Sequence, residues 1–162
     1  MLRTTLIHPG VLAALAGAGH GSLVLVCDAN YPATTRRGPR ADLVHLNLRP
    51  GLVNAVEILE CVLNVVPVEE SLVMAPLVQG PYALDGEPPI WAEFRTALTA
   101  AGAPSDLLPL PRHEFYETAS CPDVALTIVS GEARIYGNLL LRVGVVQPPT
   151  SGRATRGRPA CA

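Results

Sequence analysis

The chain has 162 residues and a formal net charge of -2, with twelve basic and fourteen acidic side chains interspersed along it. That length suits one compact domain burying about 70% of its unfolded surface, and a composition 49% apolar and 16% charged argues against disorder across the chain. With so weak an overall field, nucleic acid and an anionic membrane surface are not expected partners.

At the amino end, Arg3 followed by the apolar segment Val11 to Ala18 superficially imitates a secretory signal. Pro9 before that segment suits the first turn of a helix and Gly19 its end, so an amphipathic helix is the expected structure. No apolar run reaches the ~18 residues of a membrane span. Leu23 to Cys27 is a continuous apolar run ending in Asp28-Ala29-Asn30, as a buried strand delivering a loop would be. Tyr31 to Arg40, with two prolines, a glycine and three arginines, reads as an exposed loop able to close over a ligand, before a strand over Asp42 to Asn47.

Pro50 opens the strongest helical pattern, in which Leu52, Val56, Leu59, Leu63 and Val66 share one face. Ser71 to Val78 reads as a strand. Pro88 and Pro89 precede a helix carrying Ile90, Trp91, Phe94, Leu98 and Ala101, which Gly102 and Pro104 end. A short strand over Leu107 to Leu110, a short helix over Arg112 to Ala119, and strands over Val124 to Val129 and Asn138 to Val146 complete the reading. Alternating strands and helices predict an α/β fold, a three-layer sandwich with helices around a mixed, largely parallel sheet. Residues 1–146 form the expected single domain. Residues 147–162, rich in proline, threonine, glycine and arginine, are expected to be a flexible tail.

The four cysteines, Cys27, Cys61, Cys121 and Cys161, lack the close spacing of structural zinc sites. They read as reduced thiols of a cytoplasmic protein. No phosphate-binding glycine pattern, Gly-x-Ser-x-Gly elbow or His-Glu-x-x-His helix occurs, which weakens nucleotide, serine-hydrolase and zinc-protease readings, and no residue is assigned to a metal.

Gly19-His20-Gly21 leaves an imidazole uncrowded between a helix and a strand, and a histidine can both take and give a proton near neutral pH. The bland alternative is a turn histidine with one structural hydrogen bond. Asp28, at the carboxyl end of a strand, is placed to accept sugar hydroxyls or to orient His20, or else simply forms an Asx turn. Within Arg112-His113-Glu114-Phe115-Tyr116-Glu117, helical spacing puts Arg112 and Tyr116 on one face. Tyr136-Gly137-Asn138 joins a phenol and an amide before an apolar strand, and reads either as a polyol-binding set or as a turn. His8 and His45 have no evident catalytic role.

Taken together, Gly19-His20-Gly21, Asp28-Ala29-Asn30-Tyr31-Pro32-Ala33, Phe115-Tyr116-Glu117 and Ser130-Gly131-Glu132 through Tyr136-Gly137-Asn138 resemble the fucose mutarotase branch of the fucose mutarotase and ribose pyranase family. The resemblance covers residues 1 to 146, and Pro89-Ile90-Trp91-Ala92-Glu93-Phe94 is similar to the fucose branch more than to the ribose branch. It implies a cofactor-free isomerase that interconverts the α and β anomers of L-fucose by acid-base ring opening. It puts the proton-transferring histidine at His20 and sugar contacts at Asp28, Arg112, Tyr136 and Asn138, with Tyr116 and His113 as weaker candidates. It also implies a ring-shaped homo-oligomer, often a decamer, with the sugar near a subunit boundary. Three features depart from the family: Ser22 replaces a commonly acidic residue, the arginine-rich loop differs, and the tail is extra. A non-catalytic sugar-binding or regulatory protein, or a D-ribose pyranase, is the alternative reading.

Overall fold

A computed structural model describes residues 2–146 of the chain. The expected 147–162 tail, with Cys161, lies outside the described residues. Ten elements follow in order: α1 (Pro9–Gly17), β1 (Leu23–Cys27), β2 (Asp42–His45), α2 (Ala55–Leu63), β3 (Val68–Met74), α3 (Ile90–Ala100), β4 (Leu107–Leu110), α4 (Arg112–Ala119), β5 (Val124–Val129) and β6 (Leu139–Val143). The six strands form one sheet in the order β2-β5-β1-β6-β3-β4. Pairs β1–β5, β2–β5 and β3–β4 are parallel, whereas β6 runs antiparallel to both of its neighbours.

Both faces of the sheet are covered, which explains the unbroken apolar runs. In β1, Val24 and Val26 pack with residues of α1, α2 and α3, while Leu23, Leu25 and Cys27 pack toward Phe115 and Ala119 of α4. All five are buried. The three-layer, largely parallel expectation is therefore met. None of the helices among the described residues is long and apolar enough to cross a membrane.

Local chemistry sets the boundaries. Pro9 starts α1, and His8 caps it by accepting the Val11 N–H on Nδ1 at 3.2 Å, a structural task for a histidine with no evident role in the sequence. The helix expected from Pro50 begins only at Ala55. Residues 48–52 instead form a turn, in which the Leu48 N–H donates to the Leu52 carbonyl and Gly51 takes φ +81°. Asn54 then caps α2 through a reciprocal box with Glu57, each side chain accepting the other's backbone N–H at 2.9 Å.

Strand β3 runs 68–74 rather than 71–78, because the cross-strand ion pair of Glu70 with Arg142, 2.8 Å, makes charged residues compatible with pairing there. The last strand stops at Val143. The arginine-rich loop is not a free flap: Tyr31, Ala33 and Ala41 are buried, and Gly38 lies so close to β5 that a Cβ there would come within 2.8 Å of the Val124 side chain.

Asn54→Ala should lower stability by about 1 kcal/mol in chemical denaturation, as loss of an N-cap does. A helix starting at Pro50 would place Asn54 in its interior, where alanine stabilises, so a stabilised variant would contradict the observed boundary.

Candidate active site

Because β6 opposes its neighbours, the chain enters β6 at the same sheet edge where β1, β3 and β4 end. A cavity of about 310 Å³ opens there, lined by Asp28, Asn30 and Tyr31 after β1, Met74 at the end of β3, Tyr82, Arg112 and Tyr116 of α4, and Ile135, Tyr136 and Asn138 before β6. Asp28 and Asn138 meet across 110 residues of sequence. The Asp28 N–H donates to Asn138 Oδ1 at 3.0 Å, and Asn138 Nδ2 donates to Asp28 Oδ2 at 2.8 Å. Asp28 Oδ1 also accepts the Asn30 N–H at 2.9 Å, so the same residue forms an Asx turn and lines the cavity. Burial pushes the Asp28 carboxyl above its usual range, and these hydrogen bonds oppose that shift.

Tyr136 sits at φ +62°, left-handed backbone that a large side chain rarely adopts. Its hydroxyl donates to the Tyr82 carbonyl at 2.7 Å and accepts the Leu77 N–H at 3.0 Å, tying the wall of the cavity to the segment after β3. The Trp91 indole N–H donates to the Tyr136 carbonyl at 3.4 Å. Tyr116 packs against Tyr31 with ring centroids 5.6 Å apart, and the guanidinium of Arg112 lies 5.8 Å from the Tyr116 ring centroid.

Two of the residues singled out in the sequence lie elsewhere. His113 points to solvent and pairs with Glu117 at 3.4 Å. His20 stands before the amino end of β1, in a separate, wider cavity of about 660 Å³ shared with Arg40, Asp42, Asp123 and Arg142. The five residues of β1 separate it from Asp28, about 16 Å of extended chain. Asp28 therefore does not orient the His20 of its own chain. The group that faces His20 is Glu69 on β3, whose two carboxylate oxygens both lie 3.2 Å from the imidazole Nε2. Glu69 was not foreseen, and nothing in the sequence marks a partner 49 positions away.

The Glu132–Arg134 pair was also not foreseen. Glu132 is 3% exposed and accepts from the Arg134 backbone N–H, Nε and Nη2, which holds its carboxyl below the ordinary value of 4.5. Arg134 also pairs with Glu93 of α3, joining the Glu93 and Glu132 motifs in space. Glu132 closes the loop further: its carbonyl accepts the Ala29 N–H and its own N–H donates to Ser130 Oγ. Among the described residues no cluster suited to a metal ion occurs, and Cys27, Cys61 and Cys121 are unbridged.

The profile of the RbsD / FucU transport protein family matches residues 1–146. The chain belongs to this family. Human fucose mutarotase is 33% identical over 147 residues, covering 87% of this chain and 90% of the human protein. The crystal structure of the fucose mutarotase of Streptococcus pneumoniae in complex with L-fucose superposes with a TM-score of 0.75 at 27% identity, covering 91% of this chain and all of that one. Bacillus subtilis RbsD complexed with D-ribose shares the fold, with a TM-score of 0.68 at 20% identity over 91% of this chain and all of that one. The chain shares the α/β fold of these two structures.

Glu132→Gln should cost about 1–3 kcal/mol at neutral pH, because it leaves Arg134 short of a buried carboxylate. Since the folded-state pKa is depressed, the wild-type advantage is present above pH 4.5 and shrinks as pH falls through the folded value. Urea unfolding of both proteins between pH 7 and pH 3 checks this; a gap that does not narrow in acid would contradict the assigned cause.

Proposed function

We propose that this protein is an L-fucose mutarotase, an isomerase acting in the cytoplasm that exchanges the α and β anomers of the free sugar. The observation that carries the reading is the buried Asp28–Asn138 pair, walled by Tyr136, Tyr116 and Arg112, in a chain whose curated relatives include human fucose mutarotase. The reaction removes the proton from the anomeric hydroxyl and delivers one to the ring oxygen, so the ring opens to the aldehyde and recloses on either face. Both steps need positioned acid-base groups and polyol contacts.

Asp28 offers carboxylate acceptors to the sugar hydroxyls, Asn138 fixes that carboxylate, Arg112 donates, and the Tyr116 and Tyr136 rings bound the cavity. His20 transfers the proton. Since it cannot reach the cavity of its own chain, His20 of a second copy enters at a subunit boundary of a ring-shaped homo-oligomer, a decamer in this reading. With Glu69 against Nε2, the tautomer that donates Nε2–H to the carboxylate leaves Nδ1 as the base.

His20→Ala should lose about 10² to 10⁴ in exchange rate, measured by saturation-difference proton NMR on L-fucose, while circular dichroism stays unchanged. D-ribose run in parallel separates the pyranase alternative, and fucose binding without exchange in the wild type would establish a binding protein instead.

The shared site has its own test. His20→Ala and Asp28→Asn proteins, each inactive, should regain up to about a quarter of wild-type activity when refolded together in equal amounts, since a quarter of all boundaries then carry both intact groups. No recovery in mixed oligomers would place His20 and Asp28 in separate roles.

A further inference from the structure

Asp28 does not orient the His20 of its own chain, and β3 supplies a different partner through an irregularity in its pairing. Val68 pairs with Val143 of β6 and Glu70 with Arg142, so Glu69 is an extra residue with no opposite number, a β-bulge at the start of β3. The core contacts show the same slip. Val68 packs with Val73 on the α2 and α3 side of the sheet, whereas Leu72 and Met74, which regular alternation would place on the face of Val68, pack on the α4 side. Released from the ladder, the Glu69 side chain meets the imidazole, with both carboxylate oxygens 3.2 Å from Nε2.

The two partners hang from one anchor, the end of β6. The Gly21 N–H donates to the Val143 carbonyl at 2.8 Å and the Val143 N–H to the Ser22 carbonyl at 2.9 Å, which fixes the turn that carries His20. One residue on, the Gly144 N–H donates to the Pro67 carbonyl at 2.9 Å, which fixes the approach to the bulge. A Cβ on Gly144 would lie 3.3 Å from Glu69 Cβ and 3.4 Å from Oε2, so the glycine leaves room for the carboxylate. Arg142, which lines the same cavity as His20, is taken by Glu70 at 2.8 Å. The His20–Glu69 pair is itself solvent-exposed, and such pairs add little to stability. Its consequence is geometric: a ring gripped at Nε2 is restrained in rotation and presents Nδ1 in one direction.

We propose that Glu69 is a positioning residue for proton transfer, aimed by the bulge, and that it holds the His20 ring by Nε2 so that Nδ1 faces the sugar of the neighbouring copy. The proposal rests on His20 as the proton-transferring group of the mutarotase reading and names what orients it. Glu69 itself touches no sugar.

L-Fucose exchange by the full chain, for wild type, E69L, E69Q, H20A and the double variant H20A/E69L, tests it. E69L should lose about tenfold in kcat with KM within about twofold of wild type, because a misdirected ring impairs the transition state and leaves sugar binding intact. E69Q, whose amide oxygen still accepts Nε2–H, should recover most of that loss. In the H20A background E69L should remove nothing further, since a residue that acts only through the ring has no effect without it. Wild-type kcat in E69L, a rise in KM alone, an E69Q no better than E69L, or a further loss in the double variant would overturn the inference.

Full activity in H20A, or exchange of no sugar by the wild type, defeats the mutarotase assignment instead. NMR relaxation of the His20 ring carbons, identified by their loss in H20A, decides the positioning role even then. A ring more mobile in E69L than in wild type supports it, and equal mobility overturns it.

Discussion

The site depends on the direction of one strand. If β6 ran parallel to its neighbours, Asn138 would enter the sheet at the edge where His20 lies, and Asp28 would have no amide partner. Antiparallel pairing of β6 with β1, with Val26 opposite Leu139, brings the residue after one strand beside the residue before the other. The reciprocal hydrogen bonds of Asp28 and Asn138 follow from that register. They also make burial of a carboxylate tolerable, because a buried charge without partners is far more costly than one held by two donors.

Around this pair the cavity walls are fixed by contacts between segments distant in sequence. Tyr136 uses its hydroxyl to hold the segment after β3, and its left-handed backbone is kept by a loop that Arg134 ties to both Glu132 and α3. Gly137 belongs to the same fit, since a Cβ there would come within 2.8 Å of the Glu132 side chain. On the opposite side, Gly38 lets the arginine loop settle against β5 and places Arg36 by Tyr116. Positioning of this kind limits how far a bound ligand can stray, which is where much of the help to a proton transfer comes from.

The separation of His20 from Asp28 has the same origin as their order in the chain. They flank the two ends of β1, and a fully hydrogen-bonded strand is a rigid spacer that cannot fold back on itself. An active centre using both therefore needs two copies of the chain, making assembly part of the proposed chemistry. Glu69 stands beside His20 because β3 begins at the edge where β1 begins.

Much of the architecture could be read from local pattern. Buried strands show as unbroken Val and Leu runs, Pro9 and Pro89 mark helix starts, and the α4 spacing puts Arg112 with Tyr116. Asp28, Asn138, Tyr136, Tyr116 and Arg112 were all legible as candidates, because polar residues next to apolar strands announce loop ends. The start of α2 was misjudged, since Pro50 suits a turn as well as a helix and only the Asn54–Glu57 box decides between them. What tertiary structure alone decided was which candidates meet: His20 apart from Asp28, Glu69 beside His20, Glu93 joined to Glu132 through Arg134. Sequence carries periodicity and local capping, whereas strand order and direction depend on the free energy of the whole packed sheet, and those long-range pairings determine which side chains share a cavity.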